Sequence, residues 1–235
     1  MHAVNDSSES TNLVSPSGNT KPSYMNLINN SAAILFNGII IYCCFRDGVS
    51  LFSFHPILMS IGWLAFMCTA VNAITPGDFA TEWMPIRLRS ARHWVLQLVA
   101  ATFVLTGFIV ILTNKIINGK PHFVSLHAKF GLAAIIFIFL TSIGGLATLY
   151  SLKIKDYLAP IYIKVLHALG GSITLCLGVI AIILGNFSNW WSFGDVLRYF
   201  SIILVLTVLI LTLLRPSLKI YFRLKERLGY LTSNY

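Results

Sequence analysis

Six apolar runs divide the chain, at about 24–45, 50–74, 92–114, 126–150, 160–185 and 195–216. Each is close to the roughly twenty residues that a helix needs to cross a bilayer. Helix is the expected conformation, because backbone N–H and C=O groups in lipid must be satisfied within one segment. The breaks carry charged and turn-forming residues: Arg46-Asp47-Gly48, Thr75-Pro76-Gly77-Asp78, Asn118-Gly119-Lys120-Pro121, Lys153-Ile154-Lys155-Asp156 and Asn186-Phe187-Ser188-Asn189. The pattern predicts an all-α integral membrane protein with six transmembrane helices. Residues 1–23, rich in Ser, Asn, Thr and Pro, are expected to be a disordered tail. Residues 24–218 form the six-helix domain, and 219–235 a basic tail.

Composition agrees. Of 235 residues, 56% are hydrophobic and 11% charged, against about 25% charged in a soluble domain. The net charge of +9 is no nucleic-acid signal, because the cations flank apolar runs and first report topology. Twelve of the 17 Lys and Arg fall on the side of the two termini and of the second and fourth loops. The other side has Arg46, Lys115, Lys120, Lys129 and Arg198. The bias puts both termini in the cytosol, and the Asn186-Phe187-Ser188 glycosylation sequon on the opposite side. Cys43, Cys44, Cys68 and Cys176 lie in apolar segments without a CxxC, so they read as reduced filler.

No Asp or Glu lies inside a span; Asp47 and Asp195 sit at edges. This counts against an ion pump, which needs intramembrane carboxylates, and leaves histidines as the chief ionisable groups at depth. His55, His93, His127 and His167 follow one another at intervals of 38, 34 and 40 residues. Each interval is one span plus one loop. A weaving chain therefore puts His55 and His127 near one membrane face and His93 and His167 near the other. The four fall on spans two to five, which predicts a central four-helix bundle with two outer helices. Two facing imidazole pairs, one per leaflet, suit two haems b with both axial positions filled. Structural zinc fits less well, since it wants four ligands at one point. Gly62, Gly131, Gly170 and Gly171 lie on the ligand faces and leave room for a macrocycle, or for close helix packing.

These stretches also resemble a known family. Ser50-Leu51-Phe52-Ser53-Phe54-His55-Pro56, Arg92-His93-Trp94-Val95-Leu96-Gln97, Gly119-Lys120-Pro121-His122 through His127, and Ile163-Lys164-Val165-Leu166-His167 are similar to the cytochrome b-561 family, stand-alone type. The resemblance runs from about residue 30 to about 225. It implies a transmembrane ascorbate-dependent oxidoreductase. His93 and His167 would hold the cytosolic haem, and His55 and His127 the other. Cytosolic ascorbate would be the donor, and ferric iron or monodehydroascorbate the acceptor. The donor site falls on Arg87, Arg89 and Arg92, with Lys164 a second candidate, and the acceptor site on His122 and Lys120. Arginine suits an ascorbate anion because its fork of donors grips paired oxygens. An endoplasmic reticulum, vesicle or other endomembrane location fits better than the plasma membrane, and a homodimer is admitted. The rival readings are a haem-b subunit exchanging electrons with quinone, and a non-redox carrier or scaffold with structural histidines.

Overall fold

Each apolar run forms a helix, in the order α1 (Tyr24–Phe45), α2 (Leu51–Asn72), α3 (Ile86–Ile117), α4 (Leu126–Leu149), α5 (Pro160–Asn186) and α6 (Gly194–Ser233). The computed structural model describes residues 23–233 apart from 47, 76, 77, 79 and 82, and contains no strand among them. Of the tail expected at 1–23, residues 1–22 lie outside the described residues. All six helices are long and apolar enough to cross a membrane, and their outward faces carry side chains such as Ile109, Ile136 and Ile143. The chain is an integral, multi-pass, all-α membrane protein.

Helix starts follow local capping chemistry. Ser50 and Ser53 form a reciprocal capping box at α2, and the Ser125 side chain accepts from the Ala128 N–H at α4. Pro85 and Pro160 open α3 and α5, where a missing N–H costs nothing. Two helices outrun the apolar pattern. α3 starts at Ile86, six residues before the expected span, and α6 runs on to Ser233. Hydropathy marks the hydrocarbon layer, whereas Arg, Leu, Lys and Glu continue a helix readily outside it. The 40 residues of α6 extend about 60 Å, twice the hydrocarbon thickness of about 30 Å.

Hydrogen bonds fix the directions of the helices. Asn29 Nδ2 on α1 donates to Thr212 Oγ1 on α6 at 3.1 Å, and Arg215 on α6 donates to Ser23 ahead of α1. The two helices are therefore antiparallel, and the start of α1 lies beside Arg215. α1 packs on α2 and α6 through Ala32, Ala33, Phe36, Ile40 and Cys44. α2 pairs with α3 and α4 with α5, and these two pairs touch each other at few points. They face one another across the bundle and meet where Trp63 of α2 abuts Gly178 of α5.

α2 contains a π-helical stretch, Ile61–Met67, which the sequence pattern did not signal. It falls where α2 runs close to α3 and α5. A Cβ at Gly62 would lie 2.8 Å from Val104 on α3, and a Cβ at Gly178 on α5 would lie 2.5 Å from the buried ring of Trp63. Gly62 is thus a packing glycine and leaves no room for a cofactor. Gly178→Ala is expected to destabilise the protein by about 1–3 kcal/mol through overpacking. Gly38→Ala, where a Cβ meets nothing within 4 Å, should be neutral or better. Thermal melts in detergent check this pair, and equal melting temperatures would mean that Trp63 gives way without cost.

Candidate functional site: two facing imidazole pairs

The four histidines lie within the first eight residues of α2 to α5 and meet in two pairs. The ring centres of His55 and His127 are 6.1 Å apart, with planes at 84°. Those of His93 and His167 are 6.3 Å apart, with planes at 88°. The first pair sits at the end of the bundle opposite Arg215, the second at the same end as Arg215.

All four rings are held in the same manner. His55 Nδ1 donates to the Gly107 carbonyl at 3.0 Å and His93 Nδ1 to that of Ala70 at 2.7 Å. His127 Nδ1 donates to the Ala181 carbonyl at 2.8 Å and His167 Nδ1 to that of Thr141 at 3.1 Å. A carbonyl can only accept, so Nδ1 carries the proton in each ring. Nε2 is left with a lone pair. Each of the two gaps therefore brings together two acceptor nitrogens, which cannot hydrogen-bond to one another. An electrophile is what the donor set fits. Metal–nitrogen bonds of about 2 Å to two imidazoles, whose ring centres lie about 1.1 Å behind the donor atom, set the centres about 6 Å apart. Both observed separations match. Among the described residues no three His, Cys, Asp or Glu side chains gather as a metal site. The arrangement suits an ion that brings its other ligands with it, as haem iron does.

A helical carbonyl is crowded by the side chain four residues on, because Cβ vectors lean toward the helix start. At two of the four positions that residue is glycine. A Cβ at Gly145 would lie 3.3 Å from the His167 ring, and one at Gly185 3.2 Å from the His127 ring. These glycines clear the approach of an imidazole to the carbonyls of Thr141 and Ala181. Ala70 needs no such device, since the last-turn carbonyls of a helix lack downstream partners. Sequence reading missed Gly107, Gly145, Gly185 and the acceptor carbonyls. The Gly-Gly pair at 144–145 was a signal open to it.

A cavity joins His55 and His127. Phe52, Trp63, Phe108 and Trp190 wall it, Gly131 and Ala134 floor it, and Lys115, His122, Ser125 and Asn186 bring polar groups to it. Trp190 is fixed by its Nε1 donating to the Gly185 carbonyl at 2.9 Å. Of the expected acceptor-side residues, His122 lines this cavity, whereas exposed Lys120 does not. Lys115, which the sequence marked only as a flanking charge, does, and its Nζ donates to the Pro121 carbonyl at 2.6 Å. A more open groove between α4 and α5 reaches His167 past Gly144 and Gly170. Gly170 and Gly171 also bring α5 against Thr141.

The expected donor-side residues separate into two kinds. Arg89 Nε donates to the Met84 carbonyl at 2.8 Å, and Arg92 donates to that of Ala80 at 3.2 Å. Both tie down the second loop. Its buried Asp78 accepts from the Ala80 N–H at 2.9 Å and from the Thr81 hydroxyl at 3.1 Å. Arg87 and Lys164 are exposed. The structure does not bring these four into one pocket, and none of them lines either cavity. The sequon residue Asn186 is 2% exposed, so the folded protein has no room for a glycan there.

An all-α membrane bundle with paired imidazoles defines a class, the membrane-embedded haem proteins. The chain belongs to the eukaryotic cytochrome b561 family, whose family model matches residues 54–192. It is similar to the transmembrane reductase CYB561D2 of Mus musculus and of Homo sapiens, 33% identical in each over 147 residues, which is 63% of this chain and 66% of the relative. It is also similar to the probable transmembrane reductase CYB561D1 of Mus musculus, 25% identical over 146 residues, 62% of this chain and 63% of that protein. The chain thus spans 66% of the length of the first of these relatives. Membership implies haem b as the cofactor.

Two predictions follow from the geometry. Gly145→Ala should disturb the His93–His167 pair alone, and Gly185→Ala the His55–His127 pair alone. Reduced α-band spectra would show this as loss or broadening of one component, and identical spectra would mean the rings move aside freely. Ser188→Ala, which removes the sequon, should leave electrophoretic mobility unchanged in protein made by a glycosylating host.

Proposed function

We propose that this protein carries electrons across its membrane from cytosolic ascorbate to a non-cytosolic acceptor, ferric iron or monodehydroascorbate, by way of two haems b. The observation that carries the reading is the twofold one: two imidazole pairs with near-equal ring separations, at opposite ends of one bundle. One pair would serve a single cofactor site; two pairs reach both membrane faces. His93 and His167 hold the haem on the side of the termini, which the Lys and Arg bias assigns to the cytosol. His55 and His127 hold the other. Haem iron between two imidazoles has no open position, so what it supplies is one-electron transfer.

The chain's own residues supply binding and orientation. The carbonyls of Gly107, Ala70, Ala181 and Thr141 fix the tautomer and plane of each imidazole. Exposed Arg87 keeps its whole guanidinium fork for an enediolate anion. Arg89 and Arg92 add positive charge while holding the loop beside it, and Lys164, three residues before His167, adds another cation. On the far side His122 stands at the mouth of the cavity with Lys115, and Lys120 lies in the same loop. The membrane is an endomembrane such as the endoplasmic reticulum or a vesicle. A cytosol-negative potential assists an electron leaving, by about 2.3 kcal/mol per 100 mV for a full crossing.

The purified protein should be red, should be reduced by ascorbate, and should lose one haem on replacing any single member of a pair. Absence of a Soret band from well-folded wild-type protein would refute the reading. Arg87→Gln should slow reduction by ascorbate about tenfold, the worth of one charge-assisted hydrogen bond, with an unchanged spectrum. Wild-type rates would leave the arginines as topology signals only. A tag at either terminus should be cut by cytosolic protease with the membrane intact; protection would invert the orientation.

A further inference from the structure

Asn186, the last residue of α5, has the one feature of the His55–His127 cavity that the imidazoles leave unexplained. Its side chain is 2% exposed and lines that cavity, yet its Nδ2 has no hydrogen-bond partner. A buried donor left unpaired costs free energy that folding does not recover elsewhere. The surroundings hold it there. Arg198 on α6 donates to the Asn186 main-chain carbonyl at 3.1 Å and pairs with Asp195. The following turn is pinned by Ser188 Oγ and Trp190 Nε1, which both donate to the Gly185 carbonyl. The main chain on both sides of the amide is thus fixed.

The chemistry of its partner follows from the same cavity. Its described lining has no Asp or Glu, but it has the ammonium of Lys115, with one of three donors spent on Pro121. Apart from the ring of His122 and the hydroxyls of Ser60, Ser125 and Ser188, the remaining walls are aromatic and aliphatic. A ligand with a flat apolar body and an anionic oxygen at its edge meets both halves. The partner must also be resident, because a substrate that comes and goes would leave the amide unpaired for most of the protein's life.

The geometry points to Asn186 as a carboxylate-binding residue, its amide donating to a carboxylate of the haem held at His55 and His127. Haem b carries such carboxylates at its edge, and nothing else expected in the cavity is both anionic and permanent. The inference rests on the haem reading above and adds a residue that binds the cofactor through its periphery instead of its iron. It also turns a sequence that reads as a glycosylation signal into an internal one.

The test uses the full-length, haem-loaded protein in detergent, comparing wild type with Asn186→Leu and Asn186→Gln. Resonance Raman bands of propionate bending and the midpoint potential of each haem are the readouts. In Asn186→Leu the bending band of one haem should move to lower frequency and the potential of one haem should shift. The other haem should stay at its wild-type potential, as an internal control on folding. Asn186→Gln, which keeps the amide, should restore part of both signals. Wild-type Raman bands and potentials in Asn186→Leu would overturn the inference. Wild-type bands with a raised KM for the acceptor would also overturn it, and would assign the amide to a passing anion. If Asn186→Leu does not fold, isosteric Asn186→Asp is read instead. Opposed carboxylates should then weaken retention of one haem, and two fully retained haems at wild-type potentials would overturn the inference. Wild-type protein without haem would instead sink the functional reading itself.

Discussion

An imidazole inside a membrane must place its N–H somewhere, and no water is there to take it. In this fold each of the four rings gives its Nδ1 proton to a main-chain carbonyl of the adjoining helix. That one bond sets much of the rest. It selects the tautomer, and so leaves Nε2 as the free base. It fixes the ring plane, and so produces the perpendicular pairs. It also requires a helical carbonyl open enough to be approached, and hence Gly145 and Gly185 four residues beyond two of the acceptors.

The bonds are reciprocal. α2 gives a histidine to α3 at one end and receives one from it at the other, and α4 and α5 do the same. Donor and acceptor are 52 and 54 residues apart for His55 and His127, and 23 and 26 apart for His93 and His167. Each helix pair is therefore a unit carrying one imidazole at each end, and each imidazole pair forms where the two units face one another. Neither unit completes a site alone. The surroundings of the two sites differ. One is a walled cavity reached past His122, and the other opens to a groove between α4 and α5. Polarity and solvent access tune a redox centre, so in the proposed two-haem arrangement unequal enclosure of equal ligand pairs would make the two centres unequal.

The six spans were legible because lipid imposes one period and one length on any helix that crosses it. The pairing of histidines was legible for the same reason: interval and span length together decide which end of the bundle each occupies. What escaped was carried by groups that every residue shares. A carbonyl acceptor has no side-chain signature, so Gly107, Ala70, Ala181 and Thr141 could not be singled out. Gly62 sat on the expected face, but the close approach of Val104 decides its role. Arg89 and Arg92 read as topology or as an anion site, and the order of the loop they hold was not visible until Asp78 and Thr81 were seen buried within it. Asn186 misled because a three-residue signal carries no information on burial.

The choice of carbonyls as acceptors, when many metal-bound histidines donate to carboxylates, follows from the absence of acids within the spans. A carboxylate at that depth would have to be desolvated and paired, and it would draw the Nδ1 proton toward itself, making each ligand a stronger base. A carbonyl is already present, is neutral, and asks for no partner of its own. Its weaker pull keeps the imidazole neutral in character, which holds back electron donation to iron and disfavours the ferric state relative to a carboxylate-backed ligand. Burying neutral ligand sets and keeping every charge at the bundle ends thus serve one physical purpose. The membrane tolerates the sites, and an iron held there as proposed would be easier to reduce than one on carboxylate-backed imidazoles.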